Sequence, residues 1–243
     1  MKIYIARDYN ELSKQAADDL IQMVKGKSNP VVCTASGDTP AGLYESIVER
    51  TNNKEIDISD WCFLGLDEWS GLNGDDEGSC RFHVNNQLFD PLKVKDDKII
   101  FFDGRADDPE AECQRIESFI QKRGGIDVAI LGLGMNGHIG MNEPGTSITT
   151  RSHISKLDPL TQQIGQKYFK KEQPLTTGIT LGLATLLESK HIILLVNGAK
   201  KAAVAKQVLE GEISEKVPGS LLRNHPSVHI HLDKEAAQLL LSK

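Results

Sequence analysis

The sequence has no apolar run long enough to cross a membrane, which requires about 18 residues or more. The apolar stretch at its amino terminus, MKIYIARDYNEL, is also too short for a secretory signal peptide. Positive charge is in the minority, because 28 Lys and Arg stand against 34 Asp and Glu, giving a net charge of -6 and a pI near 5.7. Nucleic-acid-binding proteins usually carry a basic surface. We therefore expect a cytoplasmic protein with no membrane or nucleic-acid partner.

Cysteine is scarce, and no two cysteines form a C-x-x-C pair. The four are Cys33, Cys62, Cys80 and Cys113. Two lie in strand-like apolar runs, where a free cysteine packs as a small hydrophobic residue. We expect all four to be reduced and structural.

The sequence does not point to a metal site either. His229 and His231 alternate with apolar neighbours in SVHIHLD, which directs both side chains to one face of a strand. No third ligand is evident from the sequence. We therefore expect exposed or hydrogen-bonded histidines at this place.

Strand and helix patterns alternate along the chain, and 243 residues suffice for one large core. The strand candidates are 2–6, 30–35, 61–66, 98–102, 126–133, 191–197 and 228–232, and helical patterns lie at 10–26, 40–51, 109–125 and 198–211. This alternation predicts an α/β fold, with a Rossmann-like, mainly parallel sheet covered by helices on both faces. We expect a single domain, 1–243, with its active site at the carboxyl ends of the strands.

The segment 126–144, IDVAILGLGMNGHIGMNEP, is the most informative in the chain. A buried strand leads at once into a loop that carries an amide, Asn136, a base, His138, and a carboxylate, Glu143. Such a loop at the carboxyl end of a strand is typical of an enzyme active site.

The same segment also allows a dinucleotide-binding interpretation. Gly132, Gly134 and Gly137 fit G-x-G-x-x-G, and Asp158 lies about 20 residues further on. That fingerprint needs a helix to open at the glycines, however, and Pro144 would break such a helix within two turns. We regard this as the weaker interpretation.

Two further strand ends carry polar residues suited to a site. The loop TASGDTP, containing Ser36, Gly37 and Thr39, runs into a helix that Thr39 is expected to cap, which makes a cradle for a phosphate. The run WCFLGL is followed directly by Asp67, a position suited to a proton-transfer base.

Cations are expected near the same edge of the sheet. Lys201 follows the strand HIILLVN, and Lys167 lies in a polar segment. Either could bind phosphate, although a solvated helix face is the ordinary explanation for a single lysine.

These motifs together resemble the glucosamine-6-phosphate deaminases, also called glucosamine-6-phosphate isomerases. The resemblance runs in order through SGDTP, LDEWSGL, AECQRIESFI, GLGMNGHIGMNEPGTS, TGITLGLATLL and GAKKA. The 6-phosphogluconolactonases share the fold and a glycine-histidine loop but continue differently after it. The resemblance implies conversion of an amino sugar 6-phosphate and water to a ketose 6-phosphate and ammonia, without a metal or redox cofactor.

The resemblance also implies residue roles. His138 matches the base that helps open the sugar ring, Glu143 the carboxylate that orients it, and Asn136 stands where many members carry Asp. Asp67 matches the base that moves a proton from C2 to C1. The phosphate would lie against Ser36, Gly37 and Thr39, with Lys167 and Lys201 supplying charge.

Several departures from the family pattern leave the substrate open. Asp38 stands where a second glycine is usual, Trp69 replaces a tyrosine, and Lys167 stands where Arg is common. Glucosamine 6-phosphate is the expected substrate, and a galactosamine-6-phosphate deaminase is the leading variant within the same class. A lactone hydrolase and a non-catalytic sugar-phosphate sensor are also compatible with the fold that the resemblance implies.

The resemblance also bears on regulation and assembly. Some larger members carry an allosteric amino-sugar site that uses an Arg and a Lys beyond the Asn-Glu-Pro motif. Here those places hold His153 and Ser155, with only Arg151 retained, so we expect no allosteric site. A homo-oligomer is compatible with the sequence.

Overall fold

The computed structural model describes residues 1–241. Its strands are β1 (Lys2–Ala6), β2 (Val31–Thr34), β3 (Cys62–Gly65), β4 (Asp67–Trp69), β5 (Ile99–Ile100), β6 (Val128–Gly132), β7 (His153–Lys156), β8 (Thr177–Thr180), β9 (His191–Val196) and β10 (Val228–Asp233). Its helices are α1 (Tyr9–Val24), α2 (Asp38–Asn52), α3 (Cys80–Val84), α4 (Asp90–Leu92), α5 (Pro109–Lys122), α6 (Pro159–Gly165), α7 (Leu183–Leu187) and α8 (Ala202–Glu210). A π-helical turn, Asn85–Phe89, joins α3 to α4.

Seven strands form one sheet in the order β1-β10-β9-β6-β2-β3-β5, and every neighbouring pair is parallel. This confirms the predicted α/β class, and each predicted strand overlaps a strand of this sheet. No helix among residues 1–241 is long and apolar enough to span a membrane.

Side chains along the central strands alternate between two cores because successive residues of a strand face opposite sides of the sheet. On one face, Cys33, Ala129, Leu131 and Leu194 pack with buried residues of α5 and α8. On the other, Val32, Ile130 and Ile193 belong to the core that α1 and α2 complete. Helices on both faces account for the nearly continuous apolar runs of these strands.

A second, three-stranded antiparallel sheet has the order β4-β8-β7, which the sequence did not predict. Its strands have only three or four residues, too few to show a clear alternation of polar and apolar positions. β4 follows β3 after one residue, so Asp67 begins the second sheet where the first ends.

The strand order places a crevice between the carboxyl ends of β2 and β6. From β2 the chain moves outward through β3 to β5, whereas β6, β9 and β10 lie on the other side of β2. Parallel α/β sheets bind ligands at such a switch in direction. The loop after β2 and the loop after β6 therefore face each other across the expected site.

Candidate active site

A cleft of about 990 Å³ lies at the carboxyl ends of β2, β3, β6 and β9. Eight of the nine predicted site residues line it: Ser36, Gly37, Thr39, Asp67, Asn136, His138, Lys167 and Lys201. The ninth, Glu143, is 7 % exposed and lies behind Asn136 and His138. The fold thus brings together residues from five segments that are far apart in the sequence.

His138, Asn136 and Glu143 form a hydrogen-bonded relay. The Asn136 Nδ2 atom lies 2.8 Å from a Glu143 carboxylate oxygen, and the Asn136 Oδ1 atom lies 2.7 Å from the Nδ1 atom of His138. Because an ionised carboxylate can only accept, the amide nitrogen must face Glu143 and the amide oxygen must face the imidazole. His138 Nδ1 therefore carries the hydrogen, which leaves Nε2 unprotonated in the neutral ring and able to act as a base.

Glu143 supports His138 mainly through Asn136, since its carboxylate is 3.6 Å from the imidazole Nδ1 atom. The backbone N–H of Asp158 donates to the other carboxylate oxygen at 3.2 Å. Burial acts to raise the pKa of Glu143, but the nearby His138 ring and hydrogen bonds from Thr161 and Asn136 outweigh it and lower the pKa to about 2. Glu143 is thus a carboxylate at neutral pH and holds the Asn136 amide in one orientation.

The glycines of this loop make room for His138. A side chain at Gly134 would place its Cβ 2.4 Å from the imidazole ring. The chain then turns, with the Gly137 N–H donating to the Gly134 carbonyl. A dinucleotide-binding fingerprint would require a helix to begin here, whereas residues 133–137 form a loop and turn. Asp158, the acid that this interpretation places about 20 residues further on, caps α6. The glycine pattern therefore serves the histidine loop, and the dinucleotide interpretation is wrong.

Asp67 is a buried carboxylate in the floor of the cleft and is 8 % exposed. Burial raises its pKa to about 6, although the Cys80 thiol and the charge of His138 act in the opposite direction. A pKa just below neutrality suits a general base, since the group is mostly ionised at pH 7 and still takes up a proton readily. The next residue, Glu68, is fully buried, and its carboxylate accepts hydrogen bonds from the backbone N–H groups of Trp69, Cys80 and Arg81. These hydrogen bonds hold the start of α3 next to Asp67.

The loop after β2 ends in a helix N-terminus that faces the cleft, but its cap differs from the prediction. Gly37 is the N-cap, with φ of 103°, and α2 begins at Asp38. Thr39 therefore lies inside the first turn and donates its hydroxyl to the Asn197 side chain at 2.8 Å instead of capping the helix. No side chain of the described residues 1–241 caps α2. The N–H groups of its first turn and the positive end of its dipole therefore face the cleft, where they can bind an anion.

The two predicted cations are held differently. Lys201 is mostly buried and donates to the Leu133 carbonyl at the end of β6, and burial lowers its pKa to about 8. Lys167 projects from the segment after α6 and lies 2.6 Å from the Asp38 carboxylate. Asp38 itself lines the cleft. It pairs with a proposed phosphate ligand.

Four residues of the site were not recognised from the sequence. Thr161 lies 3.3 Å from His138 Nδ1, Asn197 fixes Thr39, Cys80 contacts Asp67, and the Tyr168 hydroxyl lies against Gly37. Thr161 and Tyr168 belong to a polar segment without a recognisable motif. Of the four, only Asn197 fits the pattern used to predict the site, a polar residue at the end of an apolar strand.

A parallel α/β sheet with a buried carboxylate, a histidine relay and a cationic cradle at its switch point defines an enzyme for a small anionic substrate. The chain matches the family model described as glucosamine-6-phosphate isomerases/6-phosphogluconolactonase over residues 7–230. It belongs to this family.

Relatives and solved structures agree with this assignment. The chain is 39% identical to a glucosamine-6-phosphate deaminase of Thermoanaerobacter pseudethanolicus over 99% of this chain and 95% of the relative. It is 38% identical to glucosamine-6-phosphate deaminase 1 of Bacillus subtilis, with 98% and 99% covered. A solved structure described as a monomeric glucosamine-6-phosphate deaminase of the NagB superfamily aligns with a TM-score of 0.95 and 38% identity, over 98% of this chain and all of that one. The 6-phosphogluconolactonase from Trypanosoma brucei, at 21% identity and a TM-score of 0.76, shares the fold.

Proposed function

We propose that the protein is a glucosamine-6-phosphate deaminase, which converts glucosamine 6-phosphate and water to fructose 6-phosphate and ammonia. The observation that carries the proposal is the pairing of two proton-transfer groups across one cleft. Asp67 and the His138 relay both line the space between the helix start at Gly37 and Lys201. A sugar-phosphate sensor would need the cradle but neither base.

His138 would open the sugar ring. Its Nε2 atom takes the proton from the O1 hydroxyl and returns a proton to O5, so that the C1–O5 bond breaks and an aldehyde forms. The Asn136 oxygen holds the Nδ1 hydrogen throughout and keeps the imidazole in the required tautomer. Glu143, at 3.6 Å, stabilises the ring while it carries a positive charge.

Asp67 would carry out the isomerisation. The carboxylate removes the proton from C2 of the open chain, the electron pair moves into the C1–C2 double bond, and O1 gains a proton. Return of a proton to C1 leaves a C=N bond at C2. Water then adds to C2, ammonia leaves, and the ketose phosphate remains. The apolar burial that raises the pKa of Asp67 to about 6 suits it to take up and release the proton.

The substrate phosphate would lie at the start of α2. Ser36, Gly37 and Thr39 line this part of the cleft together with Lys167 and Lys201. The start of α2 offers backbone N–H donors to the phosphate. Lys201 offers a positive charge whose position is already fixed, because its ammonium group donates to the Leu133 carbonyl. Binding the phosphate here would fix the position of C1 and C2 relative to Asp67 and His138.

Galactosamine 6-phosphate is the second candidate substrate within the same chemistry. Trp69 lines the cleft where the family pattern has a tyrosine, and its ring packs against Gly165 of α6 and edge-on to Phe169 at 6.3 Å. An indole there removes a phenolic hydroxyl and adds apolar surface. This change supports testing both epimers at C4.

We also infer a single-domain enzyme that acts in the cytoplasm without a metal or redox cofactor at the active site. The four cysteines are free and buried, which suits a reducing compartment. A homo-oligomer remains a prediction, and light scattering of the purified protein tests it against a monomer.

The decisive experiment is ammonia release from purified protein offered glucosamine 6-phosphate and galactosamine 6-phosphate in parallel, with no added cofactor. We expect release with formation of the ketose phosphate, and loss of release in Asp67→Asn. A wild-type rate in Asp67→Asn would contradict the assigned base. A ring-opened acid from 6-phosphogluconolactone, with no ammonia from either amino sugar, would indicate a lactone hydrolase. Tight sugar-phosphate binding without turnover would indicate a sensor.

A further inference from the structure

Two histidines and an aspartate converge on the side of the sheet that α1 covers. His229 and His231 are two residues apart on β10 and therefore point to the same face. Asp19 lies on α1, three residues after the buried Ala16, and so faces the sheet. One Asp19 carboxylate oxygen is 2.6 Å from His229 Nδ1 and 2.9 Å from His231 Nε2. Asp19 is thus the third candidate ligand that could not be recognised from the sequence.

The protonation of this cluster follows from its contacts. An ionised carboxylate can only accept, so both imidazole nitrogens that face Asp19 carry hydrogens in the metal-free protein. A metal ion would take the place of both hydrogens. An imidazole can carry its hydrogen on either ring nitrogen, so metal binding requires a change of tautomer at both histidines.

The spacing is close to that of a metal site. The three possible ligand atoms all lie within 4.8 Å of one another. Tetrahedral zinc at about 2.0–2.1 Å from each ligand holds those atoms roughly 3.3 Å apart. The contacts of Asp19 to His229 and His231 must therefore lengthen by about 0.7 and 0.4 Å, and the Asp19 side chain, 22 % exposed, has room to rotate.

The neighbouring residues hold the two imidazole rings in place and leave a route by which a metal ion can enter. The Tyr4 ring stacks on His231 at 4.7 Å and lies tilted beside His229 at 5.7 Å. His231 is 1 % exposed and His229 is 12 % exposed, so an ion would enter from the His229 side. Within residues 1–241, His231 Nδ1 is buried without a hydrogen-bond partner. With a metal on Nε2 this atom would carry the hydrogen and would still lack a partner, which is a cost that the metal–ligand bonds must exceed.

We propose that Asp19, His229 and His231 form a binding site for a zinc-like divalent transition metal ion. Two imidazoles and one carboxylate suit zinc and its neighbours better than calcium or magnesium, which prefer oxygen ligands. None of the three residues lines the substrate cleft, so the metal would take no part in catalysis. It would stabilise the contact between α1 and β10. This site is independent of the proposed deaminase activity.

Calorimetric titration of metal-stripped protein with Zn²⁺ tests the site. Asp19→Asn and His229→Gln are the informative variants, since both residues are partly exposed. Asp18→Asn is the matched control, because Asp18 is the neighbouring acid on α1 but pairs with Arg50. We expect one Zn²⁺ per chain, with an affinity that both informative variants reduce by at least about tenfold and the control leaves unchanged.

Two further measurements separate this site from unspecific binding. Co²⁺ should give the visible absorption of a tetrahedral or five-coordinate ion in the wild type and in Asp18→Asn, and lose it in His229→Gln. Zn²⁺ should raise the Tm of the wild type but not that of Asp19→Asn, because a ligand of the folded state stabilises it. Zn²⁺ binding that is equal in all variants, or no binding at 100-fold molar excess, would overturn the proposal.

Discussion

The Asp38 carboxylate lies 2.6 Å from the Lys167 ammonium at the mouth of the cleft, so one proposed phosphate ligand is already paired with an acid. Lys167 also lies over the Tyr168 ring, 4.7 Å from its centre. A phosphate that uses Lys167 must displace Asp38 and then remain near its negative charge. We therefore expect Asp38 to oppose phosphate binding at the proposed site.

Removing the charge of Asp38 should tighten phosphate binding. We expect Asp38→Asn to lower the inhibition constant of inorganic phosphate and the substrate KM by about 2- to 5-fold, the scale of an exposed ion pair of up to about 1 kcal/mol, with kcat nearly unchanged. Asp97→Asn is the control, since Asp97 is exposed and precedes β5 at the opposite end of the sheet. An unchanged inhibition constant would show that Asp38 and Lys167 do not act on phosphate.

The activity should depend on the ionisation of Asp67. Its pKa is raised to about 6, and the base works only when ionised. Turnover should therefore be full above that pH and fall about tenfold per pH unit below it. The measurement is kcat/KM against pH, with Asp67→Asn expected to lose a factor of about 10²–10⁴. An acidic limb near pH 4 would mean that burial does not shift this carboxyl group.

Cys80 should tune this base. Its thiol lowers the pKa of Asp67, so Cys80→Ala should shift the acidic limb of kcat/KM to higher pH. Cys80→Ser supplies a hydroxyl donor and should restore the limb, which a purely structural role of the thiol would not predict. Cys113→Ala is the control, since that thiol is buried on α5, and it should leave the limb in place. Equal profiles for Cys80→Ala and the wild type would exclude the contact.

The sequence predicted the parallel sheet because its strands are long apolar runs between helical patterns. It predicted Asp67 and the His138 loop because polar residues directly after such runs must emerge at one edge of the sheet. It did not predict β4, β7 and β8, whose pairing depends on tertiary contacts between very short segments. Partners brought together only by folding were also missed: Asp38 meets Lys167 across 129 residues, and Asp19 meets His229 across 210.

Glu143 should make stability depend on pH in the acid range. Its pKa is lowered from 4.5 to about 2, so the carboxylate stabilises the folded state above pH 4.5, and this stabilisation is lost as the pH falls toward 2. The shift corresponds to roughly 3 kcal/mol at most. We expect urea unfolding of Glu143→Gln to depend less on pH between 3 and 6 than that of the wild type. Glu45→Gln, at an exposed position on α2, should behave like the wild type.

Arg151 forms ion pairs with two acidic residues of its own chain, which supports the expected absence of allosteric control. Its guanidinium lies 2.6 Å from Glu188 and 3.5 Å from Glu117. An anionic effector would have to displace both carboxylates, and His153 and Ser155 on β7 offer no permanent positive charge in compensation. We expect a hyperbolic rate curve that an acetylated amino sugar phosphate leaves unchanged, and an Arg151→Ala variant with wild-type kinetics. A sigmoidal curve that this ligand makes hyperbolic would contradict the prediction, and its loss in Arg151→Ala would then place the effector at this arginine.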